Sequence, residues 1–205
     1  MSILYVIAAE LEYGPQLRQR IAPLICGVGP VEAAVAVTAE LARRQAAGAL
    51  PRLVVSLGSA GSRTLAQTEV YQAASVAYRD MDATALGFAR GVTPFLDLPA
   101  ELPLGPRLAG VPQARLATGA GIVSGAGYAG IDADMVDMET YAILRACHAF
   151  DVPLIALRGI SDGAEELRRL DDWTQYLGII DAKLAALVDR IEGDMAAGRL
   201  GPGRA

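Results

Sequence analysis

Residues 136–164 read VDMETYAILRACHAFDVPLIALRGISDGA, an acidic turn, a short helix, a buried strand and a second acidic turn in one unit. Glu139 opens the predicted helix over 140–150. A carboxylate at a helix N-terminus is favoured by the helix dipole, so capping alone explains that position. Residues 153–160 form a continuous apolar run of strand length, and it ends in Ser161-Asp162-Gly163. A helix start and a strand end therefore bring two carboxylates to one edge of a sheet. In open α/β sheets that edge is where ligands collect.

Working outward, residues 3–9, 22–26, 52–57, 69–78 and 114–118 read as further strands, and 31–47 and 173–195 as helices. Hydrophobic residues make up 53% of the chain but aromatics only 5%, so the apolar content is mostly Ala, Val, Leu and Ile. That composition suits a sheet buried on both faces. The expected fold class is α/β: a single domain of 205 residues, a twisted mixed central β-sheet flanked by helices, with 199–205 a frayed tail. Glu10 and Glu12 are expected on one side of an extended segment after the first strand. The Gly27-Val28-Gly29-Pro30 link lacks the third glycine of a dinucleotide fingerprint, because Glu32 stands there. A loop that allows close backbone approach remains. The small residues Gly58 to Ser62 are expected to turn at a strand end and expose backbone N–H groups. Asp80 and Asp82 read as turn formers rather than metal ligands. Residues 119–130 form a glycine-rich loop, and 89–110, rich in proline, a loop or lid.

Charge and the reactive side chains exclude several classes. With 18 Lys and Arg against 23 Asp and Glu, and no cationic cluster, nucleic acid is not an expected partner. No apolar run reaches the roughly 18 residues of a membrane span, and the N-terminus lacks the basic region of a signal peptide. A cytoplasmic location without membrane association is expected. Cys26, Cys147 and His148 are too few and too scattered for a zinc site. Cys147 and His148 are neighbours on one predicted helix, pointing about 100° apart. Any catalysis must then rest on carboxylates. Glu12, Glu139 and Asp162, with the Ser59–Gly61 loop, suit an acid/base hydrolase or lyase acting on a small polar molecule.

In order, AAELE, GVG, GSAG, RDMDATALGF, VDMET and RGISDGA resemble the purine-type nucleoside phosphorylase superfamily. The likeness is closest to its hydrolytic branch, the 5′-methylthioadenosine/S-adenosylhomocysteine nucleosidases. It implies a nucleoside phosphorylase-like three-layer sandwich, a homodimer, and hydrolysis of an adenine nucleoside by water with no cofactor and no metal. By the same resemblance Asp162 is the general acid at adenine N7, supported by Ser161, and Glu12 activates water. Glu139 holds the ribose hydroxyls, and Met138 packs on the sugar. Ser59 and Gly61 line the ribose and water site, and Arg158 sits beneath the acid. Ile122, Val123 and Ala83 meet the base, and Trp173 supplies an aromatic from the loop after Asp162.

Departures from the family pattern bear on the substrate. The segment between Glu12 and GVGP is short, and Ile122 and Leu86 stand where stacking aromatics are expected. Phosphorolytic relatives carry cations around the phosphate, whereas Val55, Ser56 and Leu57 before GSAG bring none. Hydrolysis is therefore favoured. Other branches, such as futalosine hydrolases, hopanoid-pathway enzymes or purine nucleoside phosphorylases, and a non-catalytic nucleoside binder remain as alternatives.

Overall fold

The computed structural model describes residues 2–163 and 165–200. Ala164 and 201–205, and with them most of the expected tail, lie outside the described residues. Among the described residues eight strands are formed: β1 (Ile3–Ile7), β2 (Leu24–Ile25), β3 (Leu53–Gly61), β4 (Val70–Tyr78), β5 (Glu101–Pro103), β6 (Gln113–Thr118), β7 (Met135–Asp137) and β8 (Leu154–Asp162). The helices are α1 (Pro15–Arg18), α2 (Pro30–Ala46), α3 (Thr140–Ala149), α4 (Leu170–Thr174) and α5 (Leu177–Ala196). Among the described residues no helix is long and apolar enough to cross a membrane.

The strand order is β2-β1-β3-β7-β6-β4-β5, and β8 pairs with both β3 and β4. Parallel pairs (β1 with β2 and β3, β3 with β8, β4 with β6, β6 with β7) mix with antiparallel ones (β3 with β7, β4 with β5 and β8). The mixed α/β sheet expected from the sequence is thus present. It also closes on itself, because the pairings β3–β7–β6–β4–β8 return to β3.

Both faces are buried, which explains the continuous apolar runs. Successive side chains of β1 go to opposite layers. Leu4 and Val6 join the α2 and α3 side, against Ala33, Val37 and Leu41 at four-residue spacing. Tyr5 and Ile7 join the α5 side, against Ile180, Leu184 and Val188. Helices on one stripe and strands on two faces give three layers.

Several boundaries differ from the sequence expectation, each for a physical reason. The Gly58–Gly61 segment is strand rather than turn, held by β8 along its length and by β7 where Gly61 faces Val136. Its small residues leave room for the protein's own acids. A Cβ at Gly58 would come 3.1 Å from Oε1 of Glu12, and one at Gly61 2.9 Å from Oδ2 of Asp162. Glu10–Glu12 is a 3-10 turn, so the two acids diverge, and Glu10 pairs with the exposed Arg18. The stretch 89–110 is not wholly a lid: β5 pairs with β4, and Leu102, Leu104 and Leu108 are buried. The predicted helix 173–195 is two helices, and the only local signal of the break is Gly178 in the first turn of α5. Trp173 on α4 serves the cleft, while Ile180 on α5 serves the core. Arg199 pairs with Asp194 and Leu200 is buried, so the chain remains packed to residue 200.

The β8–α5 contact depends on Gly159, where an added Cβ would overlap the side chain of Ile180. Gly159→Ala is expected to lower stability by about 1–3 kcal/mol through overpacking. Urea unfolding measures it, and the same substitution should cost less in an Ile180→Ala background, where both overlapping γ carbons are gone.

Candidate active site

Asp162 is placed by a strand irregularity. Ala60 pairs with Ile160 but Gly61 pairs with Asp162, so Ser161 is the extra residue of a bulge in β8. Such a bulge re-aims the side chain that follows it. Ser161, fully buried, donates from Oγ to Oδ1 of Asp162 at 2.6 Å. Burial raises the Asp162 pKa above the usual carboxylate range, and the Ser161 bond opposes this only in part. The result suits a proton donor.

Glu139 follows β7 and precedes α3. Its Oε1 accepts the backbone N–H of Gly29 at 2.8 Å, across 110 residues of chain. Gly29 has φ of 98°, a conformation that glycine tolerates. The GVG loop therefore approaches the protein's own carboxylate. Burial, and then the neighbouring Asp137, push the Glu139 pKa up to about 7, with the Gly29 bond opposing.

Beneath these groups lies a polar layer. Arg158 of β8 is 2% exposed and donates to Oδ2 of Asp137 at 3.0 Å, Oγ1 of Thr140 at 2.6 Å, Oγ of Ser56 at 2.9 Å and the carbonyl of Leu157 at 3.0 Å. Thr118 of β6 donates to the other oxygen of Asp137 at 2.5 Å. Five elements meet on one ion pair.

Glu12 is fixed to β3. Its Oε1 accepts both the backbone N–H and the hydroxyl of Ser59, each at 2.7 Å. The indole N–H of Trp173 donates to the same hydroxyl at 2.9 Å. Burial raises the Glu12 pKa, while the Ser59 bonds and the charge of Arg158 work against it.

Glu12, Glu139 and Asp162 all line one cleft of about 550 Å³, within the range of small-molecule sites. Ser59, Gly61, Ile122, Val123, Met138 and Trp173 line it too. Val123 is buried, whereas Ile122 lies at the rim and is 76% exposed. Ser161 and Arg158 act from behind the wall. Arg158 instead borders a void of about 10 Å³ beneath the cleft, shared with Glu12 and Glu139, about the space of one water. Ala83 is not brought to the cleft. It precedes the turn Thr84–Leu86, where Asp82 accepts from the Thr84 N–H at 3.0 Å and hydroxyl at 2.6 Å. Asp82 is a turn former, accepting from the residue two positions on, and among the described residues no cluster of potential metal ligands forms.

Sequence reasoning missed Asp137, Arg79, Ala8, Val28 and the segment Leu167–Leu170, all of which line the cleft. Arg79 donates to the carbonyls of Gly119 and Gly121 and so shapes the loop bearing Ile122. Leu167 is tied to that loop through its N–H to Ser124 Oγ at 2.8 Å. Asp137 had a signal, two residues before Glu139, but long-range partners such as Arg158 carry no local spacing.

A sheet closed on itself, helices on both faces and three separately anchored carboxylates in one cleft define a single-domain α/β fold with an acid-lined pocket at its strand ends. The family model described as Phosphorylase superfamily matches residues 12–191, and the chain belongs to that superfamily. It is 32% identical over 159 residues to the 5′-methylthioadenosine/S-adenosylhomocysteine nucleosidase of Actinobacillus succinogenes, a match spanning 68% of this chain and 66% of that relative. The solved nucleosidase of Helicobacter pylori superposes with a TM-score of 0.78 at 19% identity, covering 94% of this chain and 97% of the other. The nucleosidase of Colwellia psychrerythraea, solved with adenine, gives 0.76 at 21%, covering 98% and 96%. At such identities the two structures bear on the fold.

The raised pKa of Glu139 has a sign for stability. The native state holds the Glu139 proton to about pH 7, whereas an unfolded chain releases it near 4.3. Its contribution is complete below the unfolded value and lost as pH rises through the folded one. Glu139→Gln keeps an acceptor for Gly29, so its urea midpoint relative to the parent should rise between pH 4.5 and pH 8. A difference independent of pH would contradict the assigned shift.

Proposed function

We propose that this protein hydrolyses the N-glycosidic bond of adenine nucleosides, with 5′-methylthioadenosine and S-adenosylhomocysteine as substrates, and releases adenine. The observation that carries this reading is the cleft where Glu12, Glu139 and Asp162 meet, each held by a different anchor. The kinship to a nucleosidase over 68% of the chain supports the same reading.

In the proposed reaction the adenine lies between Val123 and Asp162. Asp162 gives its proton to N7, so the C1′–N9 electron pair leaves with a neutral base. The sugar then carries oxocarbenium character, and the nearby carboxylates stabilise charge that is greatest in the transition state. Glu12 takes a proton from water as the new C1′–O bond forms. Glu139, beside Met138, accepts the ribose hydroxyls, and those donors favour its ionised form. Asp162 and Glu12 thus start in opposite protonation states, set by what bonds to each. No metal or cofactor has a part.

The Ser59 N–H, a donor that could serve an anion, is occupied by Glu12. A carboxylate in that place repels phosphate, which favours water as the nucleophile. Arg168 and Arg169 at the cleft lining are compatible with a 5′ group bearing a carboxylate, as in S-adenosylhomocysteine. The protein is proposed to act in the cytoplasm as a homodimer. Val31 and Val35, one turn apart on α2 and 71% and 63% exposed, offer an apolar face for a partner.

Asp162→Asn keeps the shape but cannot protonate N7. It should reduce adenine release from methylthioadenosine by about 10²–10⁴-fold, followed by chromatography of the free base, while nucleoside binding survives. Undiminished release would remove Asp162 from the reaction.

A further inference from the structure

The proposed hydrolysis needs a base at Glu12, and one side chain fixes which of its oxygens is free. Oε1 receives two donors from Ser59, the backbone N–H and the hydroxyl, both at 2.7 Å. A serine hydroxyl has one proton and can point it at either of two neighbours. Here the second neighbour is the indole N–H of Trp173, 2.9 Å from Oγ. An indole nitrogen only donates. The Ser59 oxygen must accept from it, and the single hydroxyl proton is thereby committed to Glu12.

We propose that Trp173 is a positioning residue for the base: its indole N–H locks the Ser59 hydroxyl as a donor to Oε1 of Glu12 and leaves Oε2 to take the proton from water. The inference rests on the hydrolase reading for its catalytic consequence, but the hydrogen-bond relay itself does not. Trp173 sits on α4, beyond a segment closed by Asp172, whose carboxylate accepts the N–H groups of Arg168 and Arg169 at 2.7 and 2.9 Å. Leu167 ties that segment to the loop of the base side through Ser124. The roof of the cleft is thereby joined to its water-activating group through one hydroxyl.

Other groups act on Glu12 but do not orient Ser59. Arg158 of β8 favours the ionised form, and Glu139 at the head of α3 disfavours it. Cys26, after β2, feels the charge of Glu12. All three persist when Trp173 is changed. Phenylalanine at 173 keeps an aromatic wall and loses only the donor. The Ser59 hydroxyl can then turn away from the carboxylate or accept from its protonated form, so Glu12 binds its proton more tightly. The sign is an upward move of the acid limb.

Two measurements decide it. In the unliganded protein Trp173 is the only tryptophan, so its emission reads the relay without substrate. It should titrate in wild type and lose that titration in Glu12→Gln. With methylthioadenosine, Trp173→Phe should move the acid limb of kcat/KM upward by about half a pH unit, the size of one weakened hydrogen bond. In a Ser59→Ala background the same substitution should add no shift. An unmoved limb with only a raised KM, or emission that titrates identically in Glu12→Gln, would overturn the proposal. If wild type releases no adenine, the hydrolase reading fails and the emission experiment alone decides the relay.

Discussion

Arg158 is the constraint around which the cleft is built. A guanidinium that is 2% exposed cannot stay charged at tolerable cost unless its donors are met. The chain meets them from Asp137 on β7, Thr140 on α3, Ser56 on β3 and its own strand. Those are the elements that carry Glu139, Ser59 and Asp162. Satisfying one buried cation therefore sets the spacing of the reactive groups above it. Whether such a pair adds net stability is secondary, since removing one partner would leave the other uncompensated.

Above that layer the carboxylates are held by short, specific bonds of different kinds. Glu139 uses a backbone N–H from the GVG loop, Glu12 a backbone N–H and hydroxyl from the GSAG strand, and Asp162 only the neighbouring Ser161. Two glycine-containing segments that by composition could receive a phosphate receive the protein's own acids instead. Burial raises all three pKa values, but the donors counter it to different extents. In the proposed reaction these three similar side chains divide the work of acid, base and sugar holder.

The sequence made the layers legible because both faces of the sheet are buried: apolar runs 3–9, 52–57 and 153–160 correspond to β1, β3 and β8. It also made Glu12, Glu139 and Asp162 legible, since each follows a strand or opens a helix. The errors came where tertiary pairing overrides local composition. GSAG has the residues of a turn but is strand because β8 and β7 bond to it. The division between α4 and α5 is marked only by Gly178, since it answers to two different neighbours. Ala83, taken from motif order alone, is held outside the cleft by its turn. The Ser161 bulge that aims Asp162 is one extra residue in a register, and a single strand read alone has no register.

In the proposed reaction Glu12, which occupies the Ser59 N–H, makes water the nucleophile. Incubating the protein with methylthioadenosine, in buffer with and without phosphate, and identifying the sugar product tests it directly. Adenine and free methylthioribose are expected at the same rate in both buffers. Methylthioribose 1-phosphate, formed only when phosphate is present, would contradict it.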